Sequence, residues 1–258
     1  MELNERQRQM LDIVNREKYV TVQDLCNQLY SSPATTRRDL NILEKNRSVQ
    51  RVCGGAIPIY GNGQEVPYDV RVYHNNAEKR KIAQTAAKLI NEASTLIIDS
   101  STTCTYLVHQ LSSFKNLTVL TNGAESLVQL IHMSNITTIA TGGIVTSSYE
   151  FRGAITRNSI ERYNAELFFL SCSSISVENG VTFTNEENAS IKQLMAKHAQ
   201  RKILLCDSSK FDISHFCRAF AFSDFDYVIT DTVPKNPKLR DAIGPRLICA
   251  DDTHVIND

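Results

Sequence analysis

Helical periodicity fills most of the first fifty residues, and strand-like apolar runs alternating with helical segments fill the remainder. Residues 5–16 place Met10, Leu11, Ile13 and Val14 along one helical face, with Arg6 and Arg8 on the polar side. Residues 22–29 repeat the pattern through Val22, Leu25, Cys26 and Leu29, with Thr21 standing at the capping position. A tight turn at Tyr30-Ser31-Ser32 leads to a third helix. There Ser32 can cap the orphan amides, Pro33 suits the first helical position, and Leu40 and Leu43 face a core. Residues 48–57 alternate and turn at Gly54-Gly55, which predicts a hairpin. Residues 60–67 break regular structure and are the expected hinge. A long helix is predicted at 75–91. Strand-like runs follow at 94–98, 117–120, 137–140, 167–172, 202–206, 227–230 and 246–249, with helical segments such as 106–111, 124–132 and 189–198 between them. Short apolar strands alternating with helices predict an α/β domain with a mostly parallel sheet covered on both faces. The expected division is a head at 1–57, a linker at 58–76 and the α/β domain at 77–258.

Helix, helix, turn, capped helix and hairpin is the plan of a winged helix-turn-helix, which lays its third helix in the DNA major groove. Thr35, Thr36, Arg37 and Arg38 cluster at the start of that helix, where hydroxyls and guanidinium forks meet base edges and phosphates. Read alone, the segment fits an ordinary capped surface helix with two solvated arginines equally well. Charge tips the balance. The whole chain carries 28 basic and 28 acidic residues. Between Ser31 and Ala56, however, five basic residues (Arg37, Arg38, Lys45, Arg47, Arg51) face two acidic ones (Asp39, Glu44). A local excess in a neutral chain is the footprint of one small domain that touches DNA beside a larger one that does not. Arg47 and Arg51 are expected on the wing, against phosphates. One such head is too small to select one genomic site, so a homo-oligomer (dimer or tetramer) on a double-stranded operator is expected.

Open parallel sheets bind ligands beyond the carboxyl ends of their strands. The strand ending at Ile98 feeds Asp99 and then Ser100-Ser-Thr-Thr103 at a helix start, where free amides and hydroxyls suit an anion; a simple helix cap is the competing reading. The strand at 117–120 ends in Thr121-Asn122-Gly123. The strand at 202–206 ends in Asp207-Ser-Ser-Lys210, which delivers a cation to the same edge unless Lys210 is an ordinary surface lysine. Lys192, on the helix after Asn185-Glu186-Glu187, either reaches this crevice or is merely solvated, and both readings stand.

Composition excludes several classes. An apolar content of 42% with 22% charge is ordinary for a globular protein, and no apolar run approaches the roughly 20 residues of a membrane span. The polar, helical start argues against a signal peptide, so a cytoplasmic protein is expected. Seven cysteines, at 26, 53, 104, 172, 206, 217 and 249, never form a Cys-x-x-Cys pair. Buried reduced thiols are therefore expected, with no metal site and no cofactor.

Several motifs in order resemble the DeoR family of bacterial transcriptional regulators. They are Ala34-Thr-Thr-Arg-Arg-Asp-Leu40, Arg51-Val-Cys-Gly-Gly-Ala56, Glu78-Lys-Arg-Lys-Ile-Ala83, Asp99-Ser-Ser-Thr-Thr103, Val119-Leu-Thr-Asn122, Gly142-Gly143, Gly180-Val-Thr182, Asp207-Ser-Ser-Lys-Phe211 and Val228-Ile-Thr-Asp231. The resemblance runs to about residue 232. It departs at Cys53, where a histidine is usual, at Asn46 and Ser101, where glycines are usual, and at Asn188, where a glutamate is usual. The resemblance implies a domain like ribose-5-phosphate isomerase that senses a phosphorylated sugar or related metabolite. Ser101, Thr102, Thr103 and Lys210 would contact the phosphate, with Asp99, Asn122 and Asn185 at sugar hydroxyls. A repressor of a carbohydrate operon, relieved by ligand, is the implied function. An isomerase is the competing class, but it needs a positioned carboxylate base. Asn188 cannot serve, Glu186 and Glu187 would need another helical phase, and the head would be unexplained, so no catalytic residue is expected. A DNA-binding protein with an unresponsive second domain is the third reading.

Overall fold

A computed structural model describes residues 3–52, 54–59 and 66–251, and the chain divides into two compact units at Asn75/Asn76. Cys53 and residues 60–65 of the expected hinge lie outside the described residues.

The first unit runs α1 (Glu5–Glu17), β1 (Val20–Thr21), α2 (Val22–Gln28), α3 (Pro33–Lys45), β2 (Val49–Val52), β3 (Gly55–Pro58) and α4 (Tyr68–Tyr73). Asn4 opens α1 and Thr21 opens α2 through capping boxes, and Ser32 caps α3 with Pro33 in the first turn. Met10, Ile13, Val14, Leu25, Leu40 and Leu43 form the core with Val20, Val49 and Ala56. The wing is β2 antiparallel to β3, and β1 adds a third strand, giving the order β1-β3-β2. Gly55 is required here: a Cβ would sit 2.2 Å from the Val20 carbonyl oxygen. Helix α4 arises inside the stretch expected as linker. Tyr68 and Val70 are buried, and Tyr73 stacks on Tyr19 at 5.7 Å between ring centroids.

The second unit begins with α5 (Asn76–Ala87), β4 (Thr95–Ile98), α6 (Thr102–Val108), β5 (Leu117–Thr121), α7 (Ala124–Leu130) and β6 (Ile136–Ala140). It continues through β7 (Ile144–Val145), β8 (Phe151–Arg152), α8 (Ala154–Ile160), β9 (Ala165–Ser171), β10 (Ser174–Ser176), β11 (Gly180–Phe183) and α9 (Glu186–Lys197). It closes with β12 (Ala199–Cys206), β13 (Cys217–Phe220), β14 (Tyr227–Thr230), α10 (Pro237–Ile243) and β15 (Leu247–Cys249). Seven strands form one parallel sheet in the order β15-β14-β12-β9-β4-β5-β6, and they are the seven runs legible in the sequence. Both faces are covered, and the period of two shows why. Leu167, Phe169, Ile203 and Leu205 enter one core while Phe168, Leu170, Leu204 and Cys206 enter the other. Phe168 and Phe169 are fully buried on opposite faces, each contributing about 1.5–3 kcal/mol.

The sequence reading missed two smaller sheets, β10-β11-β13 and the β7–β8 hairpin. Their strands are short and polar at many positions, so no apolar run announces them.

The strand order reverses between β4 and β9. The chain builds outward from β4 to β5 and β6, then returns to lay β9 on the other side of β4. In open sheets of this kind a switch point is where ligands bind, beyond the carboxyl ends of the strands.

Candidate functional site

The third helix follows the 3.6-residue period closely. Thr36, Asp39, Leu40 and Leu43 are buried, while Arg37, Arg38, Asn41, Glu44 and Lys45 form the solvent face. Thr35 is half-buried at the first turn, its amide donating to the Ser32 hydroxyl at 3.2 Å. Thr36, expected among the reading residues, turns inward instead. It is fully buried, with its hydroxyl 2.7 Å from Ser31 Oγ and 3.3 Å from Cys26 Sγ, so it fastens the preceding turn to the helix. Arg47 is exposed but lies in the turn before β2, in left-handed backbone at φ 55°, and not on the wing strands. Arg51 does lie on the wing. Its guanidinium donates to Asn41 Oδ1 and its amide to Glu44 Oε1 at 3.2 Å, which ties β2 to the solvent face of α3.

Sequence reasoning missed Asp39 as more than a countercharge. Its buried carboxylate accepts from Arg6 Nε at 2.6 Å and Gln7 Nε2 at 3.0 Å, joining α1 to α3. Burial opposes ionisation of Asp39, but the Arg6 and Gln7 hydrogen bonds outweigh it and hold the carboxyl below its ordinary value. Arg6 therefore faces a buried partner rather than simply solvent.

In the second unit, Asp99 occupies the switch point. Its carboxylate accepts from the Ser101 amide at 2.8 Å, the Ser171 amide at 2.9 Å and Lys192 Nζ. Burial pushes the Asp99 carboxyl up, while the Lys192 charge and hydrogen bond outweigh it and leave it lowered. Asp99, expected at a sugar hydroxyl, is thus already engaged by the protein and acts to position Lys192. Lys192 is buried at 4% exposure, and its ammonium lies 5.5 Å from the Phe183 ring centroid, so the solvated reading is wrong.

Ser101 caps α6, accepting from the Cys104 amide at 3.3 Å. Thr102 and Thr103 are buried behind it. Asn185 caps α9, accepting from the Asn188 amide at 2.8 Å. Lys210 donates to Ser171 Oγ at 2.9 Å and pairs with Asp207 at 3.3 Å. Burial works against its charge, yet the Asp207 carboxylate outweighs burial and raises the ammonium above its ordinary value. Lys210 is a fixed cation.

Three buried polar atoms without a hydrogen-bond partner sit past the ends of three adjacent strands: Thr103 Oγ1 after β4, Asn122 Oδ1 after β5 and Thr141 Oγ1 after β6. Leaving such an atom unsatisfied costs about 1–3 kcal/mol each. Thr141 was not legible as a site residue, since it follows an ordinary strand.

A third missed residue is Glu150, buried beside β8. It accepts from Ser100 Oγ at 2.9 Å and Asn188 Nδ2 at 2.7 Å and pairs with Arg152. An isolated acid between aromatic neighbours gave no periodic signal. A surface depression bounded by Gln193, Lys197, Lys202, Phe220 and Asp224 lies toward the amino-terminal end of β12, away from these groups.

A three-helix head with a wing, followed by a parallel α/β domain with buried polar groups gathered at its strand ends, has the plan of a helix-turn-helix regulator with a sensing domain. The DeoR-like helix-turn-helix domain matches residues 6–60, and the DeoR C terminal sensor domain matches residues 74–232. The chain belongs to the DeoR family of transcriptional regulators. It is 35% identical to the uncharacterized HTH-type transcriptional regulator YulB of Bacillus subtilis, over 88% of each chain. It is 29% identical to the transcriptional repressor AccR of Agrobacterium fabrum, over 88% of this chain and 89% of that one. It is 31% identical to the L-fucose operon activator of Haemophilus influenzae, over 91% and 94%. Among solved structures, ribose 5-phosphate isomerase A of Methanocaldococcus jannaschii superposes on 53% of this chain and 55% of its own, with a TM-score of 0.40 and 12% identity. No helix among the described residues is long and apolar enough to cross a membrane.

Proposed function

We propose that the protein is a cytoplasmic repressor of a carbohydrate-metabolism operon, released from its operator by a phosphorylated sugar or related metabolite. Arg37 and Arg38, with Thr35, read and position the major groove, while Arg47 and Arg51 contact phosphates. The observation that carries the DNA half is the capped third helix, whose solvent face holds two adjacent arginines braced by the wing through Arg51 and Asn41. The effector half is supported by the fixed Lys210 cation and by the unpartnered Thr103, Asn122 and Thr141 oxygens past the carboxyl ends of β4, β5 and β6. An anionic group would be met by Lys210 and the Ser101–Thr103 helix start, and hydroxyl groups by Asn122. Asn185 and Asp99 then act as positioning residues more than as direct contacts, because both already serve the protein's own backbone. No catalytic role is assigned, and a homo-oligomer with paired heads is part of the proposal.

The test is fluorescence anisotropy on the protein's own upstream intergenic DNA, repeated with a panel of sugar phosphates. Saturable, competitor-resistant binding weakened by one compound is the expected result. Tighter binding with ligand would reverse the sign of the proposed response. Turnover of ribose 5-phosphate would favour the isomerase reading instead.

A further inference from the structure

The ends of β9 and β12 bring together two cysteines for which ligand sensing has no use. The Sγ atoms of Cys172 and Cys206 lie 3.8 Å apart. Strand register explains the meeting: Leu205 pairs with Ser171, so the next residue of each parallel strand projects toward the same face, and both thiols join one core cluster. Neighbouring strands run about 4.8 Å apart, inside the Cα separation that a disulfide spans. Cys172 lies one residue beyond the end of β9, so it can close on Cys206 without breaking the ladder. It retains 7% exposure, while Cys206 is fully buried behind it.

Two buried thiols also pack as small hydrophobes. The setting of this pair departs from that. Lys210, anchored on Ser171 and Asp207, takes its hydrogen bond and its ion pair from the residues adjoining the two cysteines. Burial raises the Cys172 thiol, but the contact with Cys206 and the Lys210 charge outweigh it and lower it below the ordinary thiol value. At Cys104 the balance runs the other way: burial and then the Asp99 charge outweigh Ser101 and Lys192 and push it well up. Since the thiolate is the reacting form and Cys172 alone of the pair retains exposure, Cys172 is the site where oxidation starts.

We infer that Cys172 and Cys206 form a peroxide-oxidisable dithiol that closes into a reversible disulfide at the carboxyl ends of β9 and β12. In the first step the Cys172 thiolate attacks hydrogen peroxide. A sulfur–oxygen bond forms, the O–O bond breaks, and the departing hydroxide takes the proton released on ionisation to become water. In the second step the Cys206 sulfur displaces the hydroxyl of the Cys172 sulfenic acid. A sulfur–sulfur bond forms, the sulfur–oxygen bond breaks, and the hydroxyl leaves with the Cys206 proton as a second water. Two thiols lose two electrons to one peroxide, and a reducing dithiol restores them.

The experiment uses the full-length protein treated with hydrogen peroxide, alkylated under denaturing conditions and digested with trypsin. Cleavage after Arg162, Lys192, Lys202 and Lys210 places Cys172 alone in peptide 163–192 and Cys206 alone in peptide 203–210. The expected product is those two peptides linked, two hydrogens lighter than their sum, and separated by dithiothreitol while Cys104 stays alkylated. In Cys206→Ser, the same treatment should stop at a Cys172 sulfenic acid that dimedone traps. Recovery of both wild-type peptides fully alkylated would overturn the inference, as would oxidation of Cys172 beyond the sulfenic level with no linked peptide, or oxidation of Cys104 at the same rate.

Discussion

At Asp39 a carboxylate withdrawn from solvent holds two helices of the head together, and its charge makes that hold depend on pH. Its folded-state value is depressed, so the stabilisation is fully present above the ordinary carboxylate range and is lost as pH falls through the depressed value. Asp39→Asn keeps the shape but weakens the Arg6 and Gln7 hydrogen bonds, and should cost the head about 1–3 kcal/mol. Thermal unfolding at pH 7 and pH 3 checks both parts: the wild-type advantage should shrink at the lower pH, which lies below the ordinary carboxyl value. Arg37 and Arg38 carry a different kind of weight. They face solvent, so Arg37→Ala with Arg38→Ala should leave stability unchanged while abolishing specific operator binding, each lost base contact weakening it by about 1–3 kcal/mol. Anisotropy on operator DNA and ligand affinity measured on the same sample decide this, and preserved operator affinity would displace α3 from the reading role. These arginines were legible from the sequence because exposed cations after a helix cap leave a local trace. Thr36 was not, because its inward turn depends on where Ser31 and Cys26 come to lie.

Elements inherit their stability from single close approaches. The β1–β3 pairing passes Gly55 against the Val20 carbonyl with no room for a Cβ, so Gly55→Ala should force the wing away from β1. Overpacking of that kind costs about 1–3 kcal/mol, and a lowered unfolding midpoint with weaker DNA binding is the expected pair of readouts. In the second unit, α9 is pinned to the end of β4 by Lys192 and Asp99. Lys192→Met would leave a buried carboxylate with amide donors only and should destabilise the unit by about 3–5 kcal/mol. Denaturant titration measures it, and a loss below 1 kcal/mol would mean the pair is not held as described. The seven parallel strands were legible because each is an apolar run between turn signals. The sheet of β10, β11 and β13 was not: its pairing joins residues far apart in the chain, such as Thr182 with Arg218, and no local pattern encodes that.

For the whole molecule, function requires the two units to share free energy. Under the proposed function an effector would shift operator affinity only by its preference for one arrangement of paired heads, typically about 1–3 kcal/mol or 5- to 150-fold. Lys210→Ala should therefore reduce the ligand-induced shift while leaving operator affinity in ligand-free protein unchanged. An unaltered ligand response in that variant would remove Lys210 from the effector site. Sedimentation should find an oligomer at the concentrations at which the operator is bound, and a monomer bound tightly to a single half-site would refute the paired-head arrangement.

The sequence by itself determined the elements of the head, the parallel sheet and its polar strand ends, because caps, apolar period and turn residues act over a few positions. Only the tertiary structure decided that the polar ends meet at the β4/β9 switch point, that Asp99 is consumed in holding Lys192, and that Glu150 comes to face Asn188. It also decided that Cys172 and Cys206 come within 3.8 Å of each other. Those outcomes depend on strand order and register, which are set by how distant segments exclude water together, and no local spacing in the chain records that.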